Sequence, residues 1–364
     1  MPSIIVVGGQ YGSEGKGKVV ALTAGRCSEP WVVRCGGPNS GHTVWIGEKR
    51  TVLRQVPSAA GHPNALLLLS AGCVIDESIL HDEANELGLS RDQIVVDPRA
   101  ALVTDEDKEA ESGIVGSIGS TGSGTGAALI RRMGRGRGVR LAGNAESIRA
   151  RFRVESVAPL LHAHLDRGGD VIIEGTQGFG LSLLHGPDYP YVTSRDTTAS
   201  GFASEVGLSP RQVDEIILVV RTYPIRVGGR SGPLHEELTW EDVRAASGAP
   251  EAIPEFTSVT QKLRRVGRFD LEAVKLACQY NRPTGLAVMG IDRLAYANYQ
   301  AKTIDKLTPE AVAFIHTVQK ATRVPIEWLG TGFETSEAIH VKGVGGDGFV
   351  RPVAGPTSLA TNTH

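Results

Sequence analysis

The chain has 364 residues, of which 41% are hydrophobic and 21% charged, and its formal net charge is −2. That size and makeup support a real hydrophobic core in one large domain or two modest ones. The near-neutral balance argues against wholesale binding to nucleic acid or membrane, and the longest apolar run, Ala65 to Leu69, is far too short to span a bilayer.

The opening stretch MPSIIVVGG has no basic segment ahead of a long apolar core, so it reads as a first strand rather than a leader. Ile4 to Val7, Trp31 to Arg34, Leu66 to Ser70, Val171 to Glu174, Ile216 to Arg221 and Leu286 to Gly290 are short, apolar, mostly β-branched runs of the kind that form buried parallel strands. Asp76 to Leu87, Leu271 to Tyr280 and Pro309 to Ala321 carry apolar residues at helical spacing. This alternation predicts an α/β fold: a mainly parallel central sheet with flanking helices and long functional loops. Gly113 to Gly143, rich in Gly, Ser and Arg, reads as one such loop or lid. No linker divides the chain, so residues 1–342 are expected to form a single unit, followed by a loosely ordered tail over 343–364. Cys27, Cys35, Cys73 and Cys278 show neither a C-x-x-C pair nor zinc spacing and read as buried free thiols of a reducing cytoplasm.

Behind the first strand stand Gly8-Gly9-Gln10-Tyr11, then Gly12-Ser13-Glu14-Gly15-Lys16-Gly17-Lys18 and a helix-like Val19-Val20-Ala21-Leu22. Strand, glycine-rich loop and helix start, in that order, make an anion site from backbone N–H groups, and the two lysines add charge. Gly12 to Lys18 fits G-x-x-x-x-G-K, but Val19 stands where the P-loop has Ser or Thr, so the hydroxyl that holds Mg²⁺ there is missing.

This loop, together with Asn39-Ser40-Gly41-His42-Thr43, resembles the adenylosuccinate synthetase family. The resemblance continues through Ile118 to Gly124, Glu174 to Gly178, His185 to Thr198, Thr222 to Gly229 and Glu255 to Arg265. It implies a P-loop-related fold and a two-step ligase reaction. The γ-phosphate moves to O6 of a 6-oxopurine nucleotide, and the L-aspartate amine then displaces phosphate at C6. By resemblance, Gly12, Glu14, Gly15, Lys16, Gly17, Lys18 and Thr43 surround the triphosphate, and His42 stabilises the transferring phosphoryl group. Gly41, through its carbonyl, and Ser13 are the expected Mg²⁺ ligands. Gln177 meets the purine near O6. Asn39, Ser120, Thr121, Thr193 and Val227 line the monophosphate nucleotide, and Arg135 is the counterpart of an arginine reaching in from a second subunit, which implies a homodimer. Thr257, Ser258, Val259, Thr260, Gln261, Lys262 and Arg264 match the aspartate loop, with Lys262, Arg264 and Arg265 as its cations. Lysine at 262, where the family usually has arginine, keeps the charge and loses the bidentate fork.

Two departures matter. Ser13 replaces the family's aspartate, the base for the N1 proton of inosine monophosphate; a serine hydroxyl is no base near neutral pH without a partner. It is also smaller and uncharged, which makes room for a 2-amino group. That form, in a short chain, resembles the phage 2-amino-adenylosuccinate synthetase branch, which joins aspartate to dGMP on the route to 2-aminoadenine DNA. The second departure is Gly290-Ile291-Asp292, where the family has Lys-x-Asp for GTP. Asp292 is kept and the lysine is lost, so ATP or dATP is expected as donor, with GTP still allowed; Gly330, Thr331 and Gly332 form the other side of that pocket. The expected setting is the cytoplasm, the host's if the gene is a phage's. The alternatives are an ordinary enzyme using IMP and GTP, and a nucleotide-binding regulator that has lost catalysis.

Overall fold

The computed structural model describes residues 3–113, 115–136, 138–257 and 261–341. The main sheet takes ten strands in chain order: β1 (Ser3–Gly8), β2 (Trp31–Arg34), β3 (Leu66–Leu69), β4 (Ile94–Val96), β5 (Arg153–Val154), β6 (Val171–Glu174), β7 (Glu215–Arg221), β8 (Gly285–Met289), β9 (Ile326–Gly330) and β10 (Ala338–His340). Their order across the sheet is β10-β9-β8-β7-β1-β6-β2-β3-β4-β5. Every neighbouring pair is parallel except β9 with the edge strand β10. Side chains alternate across a strand, so Ile5 and Val7 of β1 enter one core layer while Ile4 and Val6 enter the other. A sheet buried on both faces is what near-continuous apolar runs dictate.

All six strands read from the sequence form, as do the three helices, here Glu77–Glu86, Leu271–Asn281 and Pro309–Thr322. Each helix starts at a side-chain cap, from Asp76, Asp270 and Thr308 respectively. The expected loop over 113–143 is corrected: it holds helices at Val115–Ile118 and Thr125–Met133. Cys27 is only half-buried, unlike the other three thiols. The tail over 343–364 and the residues Ser258, Val259 and Thr260 lie outside the described residues. Among the described residues no helix is long and apolar enough to cross a membrane.

This topology positions the site. In open parallel sheets ligands collect beyond the carboxyl ends of the strands, near the strand at which the winding reverses. Here β1 lies between β6 and β7, and the loops after β1, β2, β6, β7, β8 and β9 all leave from that edge. Those loops hold Gly12 to Lys18, Asn39 to Gly41, Gln177, Thr222, Gly290 to Asp292 and Gly332.

Candidate active site

The loop after β1 turns through left-handed residues at Gly12 (φ 87°), Ser13 (φ 58°) and Gly15 (φ 101°) and enters the helix Lys16–Ala24. The first N–H groups of a helix have no intrahelical partner, so those of Lys16, Gly17 and Lys18 form an anion seat. Val19 is fully buried in the core beneath it, which confirms that no hydroxyl is offered from that position.

Glu14, 1% exposed, shapes this loop from inside. Its carboxylate accepts from the backbone N–H of Gln10 (3.1 Å) and Gly12 (2.8 Å) and from Lys16 Nζ (2.6 Å). Lys16 Nζ also donates to the Gln177 carbonyl, and Lys18 Nζ donates to the carbonyls of Gly332 (2.9 Å) and Glu337 (2.7 Å). Both ammonium groups therefore tie the loop to its neighbours, and a polyphosphate has to compete for them. Burial lowers the Lys18 ammonium pKa to about 8, against the pull of Glu337 and Asp292. Glu14→Ala would leave Lys16 buried without a counter-ion; it is expected to cost about 3 kcal/mol of stability, read as a shifted urea midpoint.

His42 begins a hairpin strand, His42–Ile46, paired with Lys49–Leu53. It packs so closely on the phosphate-loop helix that a Cβ at Gly17 would lie 2.9 Å from both His42 Cβ and Ser58 Oγ, so only glycine fits there. His42 Nδ1 bonds to Glu174 Oε1 at the end of β6. The same carboxylate takes Arg34 NH1 (2.8 Å), the Ser58 amide (2.7 Å) and the Ser58 hydroxyl (2.5 Å). Arg34 NH1 also lies 3.0 Å from His42 Nδ1, but a guanidinium cannot accept, so the imidazole proton goes to the carboxylate. Burial, then the Arg34 charge, lowers the His42 pKa to about 4. Burial alone would raise Glu174, yet Arg34 and His42 hold it down to about 2. The ring is thus neutral, its Nδ1–H is fixed, and its buried Nε2 has no protein partner.

Two lobes, of about 360 and 430 Å³, meet at this imidazole. Ser13, Gly41, His42, Thr257 and Arg264 border both. Asn39, Ser120, Thr121, Gln177, Thr193 and Val227, read from the sequence as one group, all line the first lobe, and the Thr121 hydroxyl oxygen is buried there without a partner. Glu14, Gly15, Lys16, Gly17, Lys18 and Thr43 border the second, together with Gln261, Gly290, Asp292 and Gly332.

Several expectations are corrected. Arg265 does not enter the site: it binds Glu237 through Nε (2.7 Å) and NH2 (2.5 Å) and donates to the Gly232 carbonyl (2.7 Å). Lys262 is exposed and borders neither lobe. Gly330 ends β9, and Thr331, fully buried, spends its hydroxyl on the Ala301 carbonyl (2.9 Å), so both stand behind the wall that Gly332 and Phe333 form. Arg135 is a different case: expected to serve the site of a second subunit, it is exposed and lines neither lobe of its own chain, which does not bear against that expectation.

Other groups escaped the sequence reading. Arg50 reaches the second lobe from the hairpin. Arg221 pairs with Glu255 (NH1 to Oε2, 3.0 Å) and donates to the Ser13 carbonyl (3.1 Å), holding the left-handed turn in place. Arg226, over the Tyr11 ring at 4.3 Å, walls the first lobe. Glu111 is the one carboxylate among the described residues of the first lobe, and it accepts from the Gly124 (2.8 Å), Gly126 and Ala127 (3.3 Å) amides. The paired Arg–Glu set is the sort of signal only tertiary contact reveals.

The adenylosuccinate synthetase family model matches residues 5–147 and 143–299. The adenylosuccinate synthetase of Methanocaldococcus jannaschii is 36% identical over 345 residues, covering 93% of this chain and 96% of the relative. That of Archaeoglobus fulgidus is 37% identical over 348 residues, covering 94% and 99%. The fully ligated adenylosuccinate synthetase of Plasmodium falciparum has the same fold, with a TM-score of 0.82 at 21% identity over 93% of this chain and 99% of that one. The succinoaminodeoxyadenylate synthetase of cyanophage S-2L, bound to dGMP and to dATP as energy donor, gives a TM-score of 0.77 at 28% identity, covering 93% and 95%. Because the archaeal relatives are matched nearly end to end, a short chain is shared with ordinary synthetases and does not separate out the phage branch.

Proposed function

The chain belongs to the adenylosuccinate synthetase family, and from that membership we propose that it joins L-aspartate to C6 of dGMP, with ATP or dATP as donor. Members of this family are C–N bond-forming ligases that use Mg²⁺ and a nucleoside triphosphate. The observation that carries the finer reading is Ser13. It is exposed at the junction of the lobes, and Glu111, the one carboxylate among the described residues of the first lobe, is already filled by three amides and does not take the place of the family's aspartate. A small hydroxyl there leaves room for, and can accept from, a 2-amino group. The likeness to the dGMP-bound phage enzyme supports the same reading.

In this reading the nucleotide lies in the first lobe, its monophosphate on Asn39, Ser120, Thr121 and Thr193, with Val227 against the sugar side and Gln177 near O6. Arg135 comes from a second copy, making the enzyme a cytoplasmic homodimer whose catalytic unit is 1–342. The triphosphate enters the second lobe with its phosphates on the helix start at Lys16. O6 attacks the γ-phosphorus as the N1 proton passes to water, and the donor leaves as diphosphate; the aspartate amine then adds at C6, gives up its surplus protons to water and expels phosphate. His42 Nε2 faces the moving phosphoryl group, and the Glu174 carboxylate behind it stabilises the imidazolium form once an anion arrives. Thr257, Gln261 and Arg264, with Arg50, hold the two carboxylates of aspartate. Arg264 is suited to this: its Nε is buried with no partner. The segment Ser258, Val259 and Thr260 completes the loop in this proposal.

For Mg²⁺ the fit rests on oxygen donors. Among the described residues no group of three or more His, Cys, Asp or Glu is set to hold a metal. Mg²⁺ is commonly carried by substrate phosphates with few protein ligands, and the Gly41 carbonyl and Ser13 hydroxyl at the junction fit that pattern. The ion, when bound, supplies charge neutralisation on the transferring phosphoryl group.

The test is product formation from aspartate, Mg·ATP and either dGMP or IMP, resolved by chromatography. Preferred turnover of dGMP is expected. The second reading, an ordinary enzyme using IMP, is favoured by the greater identity of the archaeal synthetases, and preferred turnover of IMP would establish it.

A further inference from the structure

The wall of the first lobe that carries Val227 is already paired within the protein. The short strand Ile225–Arg226 runs into Val227, and the chain then turns through Gly229 (φ 87°) and Gly232 (φ 93°), which brings Ser231 back onto it. Ser231 is 8% exposed and borders the lobe. Its hydroxyl donates to the Val227 carbonyl and accepts from Arg265 NH1 at 3.4 Å. Arg265 is itself held by Glu237 and by the Gly232 carbonyl. The Arg226 guanidinium in the same wall is spent likewise, NH1 on Asp188 (2.8 Å) and the Pro233 carbonyl (2.7 Å), NH2 on the Tyr191 carbonyl (2.9 Å). Ser231 also stands against the segment that leads into Ser120 and Thr121: a Cβ at Gly119 would lie 3.1 Å from Ser231 Cβ.

We propose that Ser231 selects the sugar of the acceptor nucleotide: by taking the Val227 carbonyl, it makes the seat one for a 2′-deoxyribose monophosphate rather than a ribose one. The inference deepens the ligase reading and rests on its placement of the nucleotide in the first lobe. With the monophosphate on Ser120 and Thr121 and the base near Gln177 and Ser13, the sugar lies between them, along Val227 and Ser231. A 2′-hydroxyl carried into that wall leaves water and needs an acceptor for its proton. The Val227 carbonyl already has a hydroxyl donor in Ser231. The lone pair that remains shares its oxygen with the serine, so a 2′-hydroxyl gains less there than it gives up to water. A 2′-methylene carbon needs no partner and leaves the wall as it stands. A wall built to recognise a hydroxyl keeps an acceptor open for it and penalises the analogue that lacks it; Ser231 closes that acceptor from the protein's own side. Ser231 acts on the sugar and Ser13 on the base, so the two choices are separable.

The experiment measures kcat/KM for four acceptors, dGMP, GMP, dIMP and IMP, with aspartate and Mg·ATP, for the full chain and for Ser231→Ala. Within each base the ratio of deoxynucleotide to ribonucleotide reads the sugar alone, and general damage to the fold cancels. Wild type is expected to favour the deoxynucleotide about tenfold with whichever base it uses. In Ser231→Ala the Val227 carbonyl is open to a 2′-hydroxyl, and the ratio is expected to fall about tenfold, chiefly through a lower KM for the ribonucleotide. Equilibrium binding of dGMP and GMP to both proteins, without aspartate or triphosphate, supplies the same ratio if the variant turns over too slowly. A wild type that treats the two sugars alike, or a deoxy preference that survives the substitution, overturns the assignment and leaves the ligase reading standing. Use of dIMP ahead of IMP, with neither guanine nucleotide accepted, overturns the choice of base and supports this inference. Failure to turn over any of the four overturns the ligase reading, and this inference with it.

Discussion

His42→Asn is expected to lower kcat by about 10³-fold while triphosphate affinity, followed by fluorescence titration, changes little. The imidazole makes no contribution to the anion seat itself, which is backbone at Lys16 to Lys18. Its Nε2 instead faces the junction of the two lobes with no protein partner, and its other nitrogen is fixed by Glu174. An amide side chain keeps the bulk and loses the group able to take up positive charge as negative charge develops. A fall in affinity as large as the fall in kcat would make His42 a binding residue instead.

The same pair sets a pH dependence of stability. His42 has a depressed pKa, about 4 in the folded chain against the ordinary 6.5. The unfolded chain then binds the extra proton first, so stability is complete above about pH 6.5 and falls as pH drops toward 4, by about 3 kcal/mol. Glu174, also depressed, contributes stability above its ordinary range that is lost as pH falls through about 2. Urea midpoints between pH 7 and 4 are expected to decline in wild type and to flatten over that window in His42→Asn. Equal slopes in the two proteins would show that the ring is not held neutral.

The parts of this architecture visible in the sequence are those written in local chemistry. The six strands were legible because fully buried parallel strands must be apolar throughout, and the site loops were legible because glycine is needed where the chain turns left-handed after them. β9 was not, since Glu327 interrupts its apolar run, and β5, two residues paired only along β4, has no periodicity to detect. The hairpin beginning at His42 carries Lys49 and Arg50 on exposed positions and so lacks an apolar stripe. Reading Lys262, Arg264 and Arg265 together as cations for aspartate used charge where direction decides. Successive side chains in extended backbone point opposite ways. Arg264 consequently borders the lobes, whereas Arg265, the first residue of the strand Arg265–Gly267, turns to Glu237. Arg50 comes from a remote hairpin and leaves no local trace in the chain.

Ser13→Asp is expected to reverse the choice of acceptor, lowering kcat/KM for dGMP about 10²-fold and raising it for IMP about tenfold or more. The backbone will not resist the change. Residue 13 sits at φ 58°, a conformation that aspartate visits more readily than most residues, and it is exposed, so the new charge carries little desolvation penalty. Arg221, donating to the carbonyl of residue 13, keeps the turn where it is. The carboxylate then restores a base for the N1 proton, and its greater length fills the space beside C2 that a 2-amino group needs. Both effects favour a purine with hydrogen at C2. Ratios of kcat/KM for the two acceptors in the two proteins decide the matter, because any general damage to the fold lowers both alike and cancels. A ratio that stays constant would mean that residue 13 does not choose the purine, and that selection comes from the walls of the first lobe around Gln177, Tyr11 and Arg226.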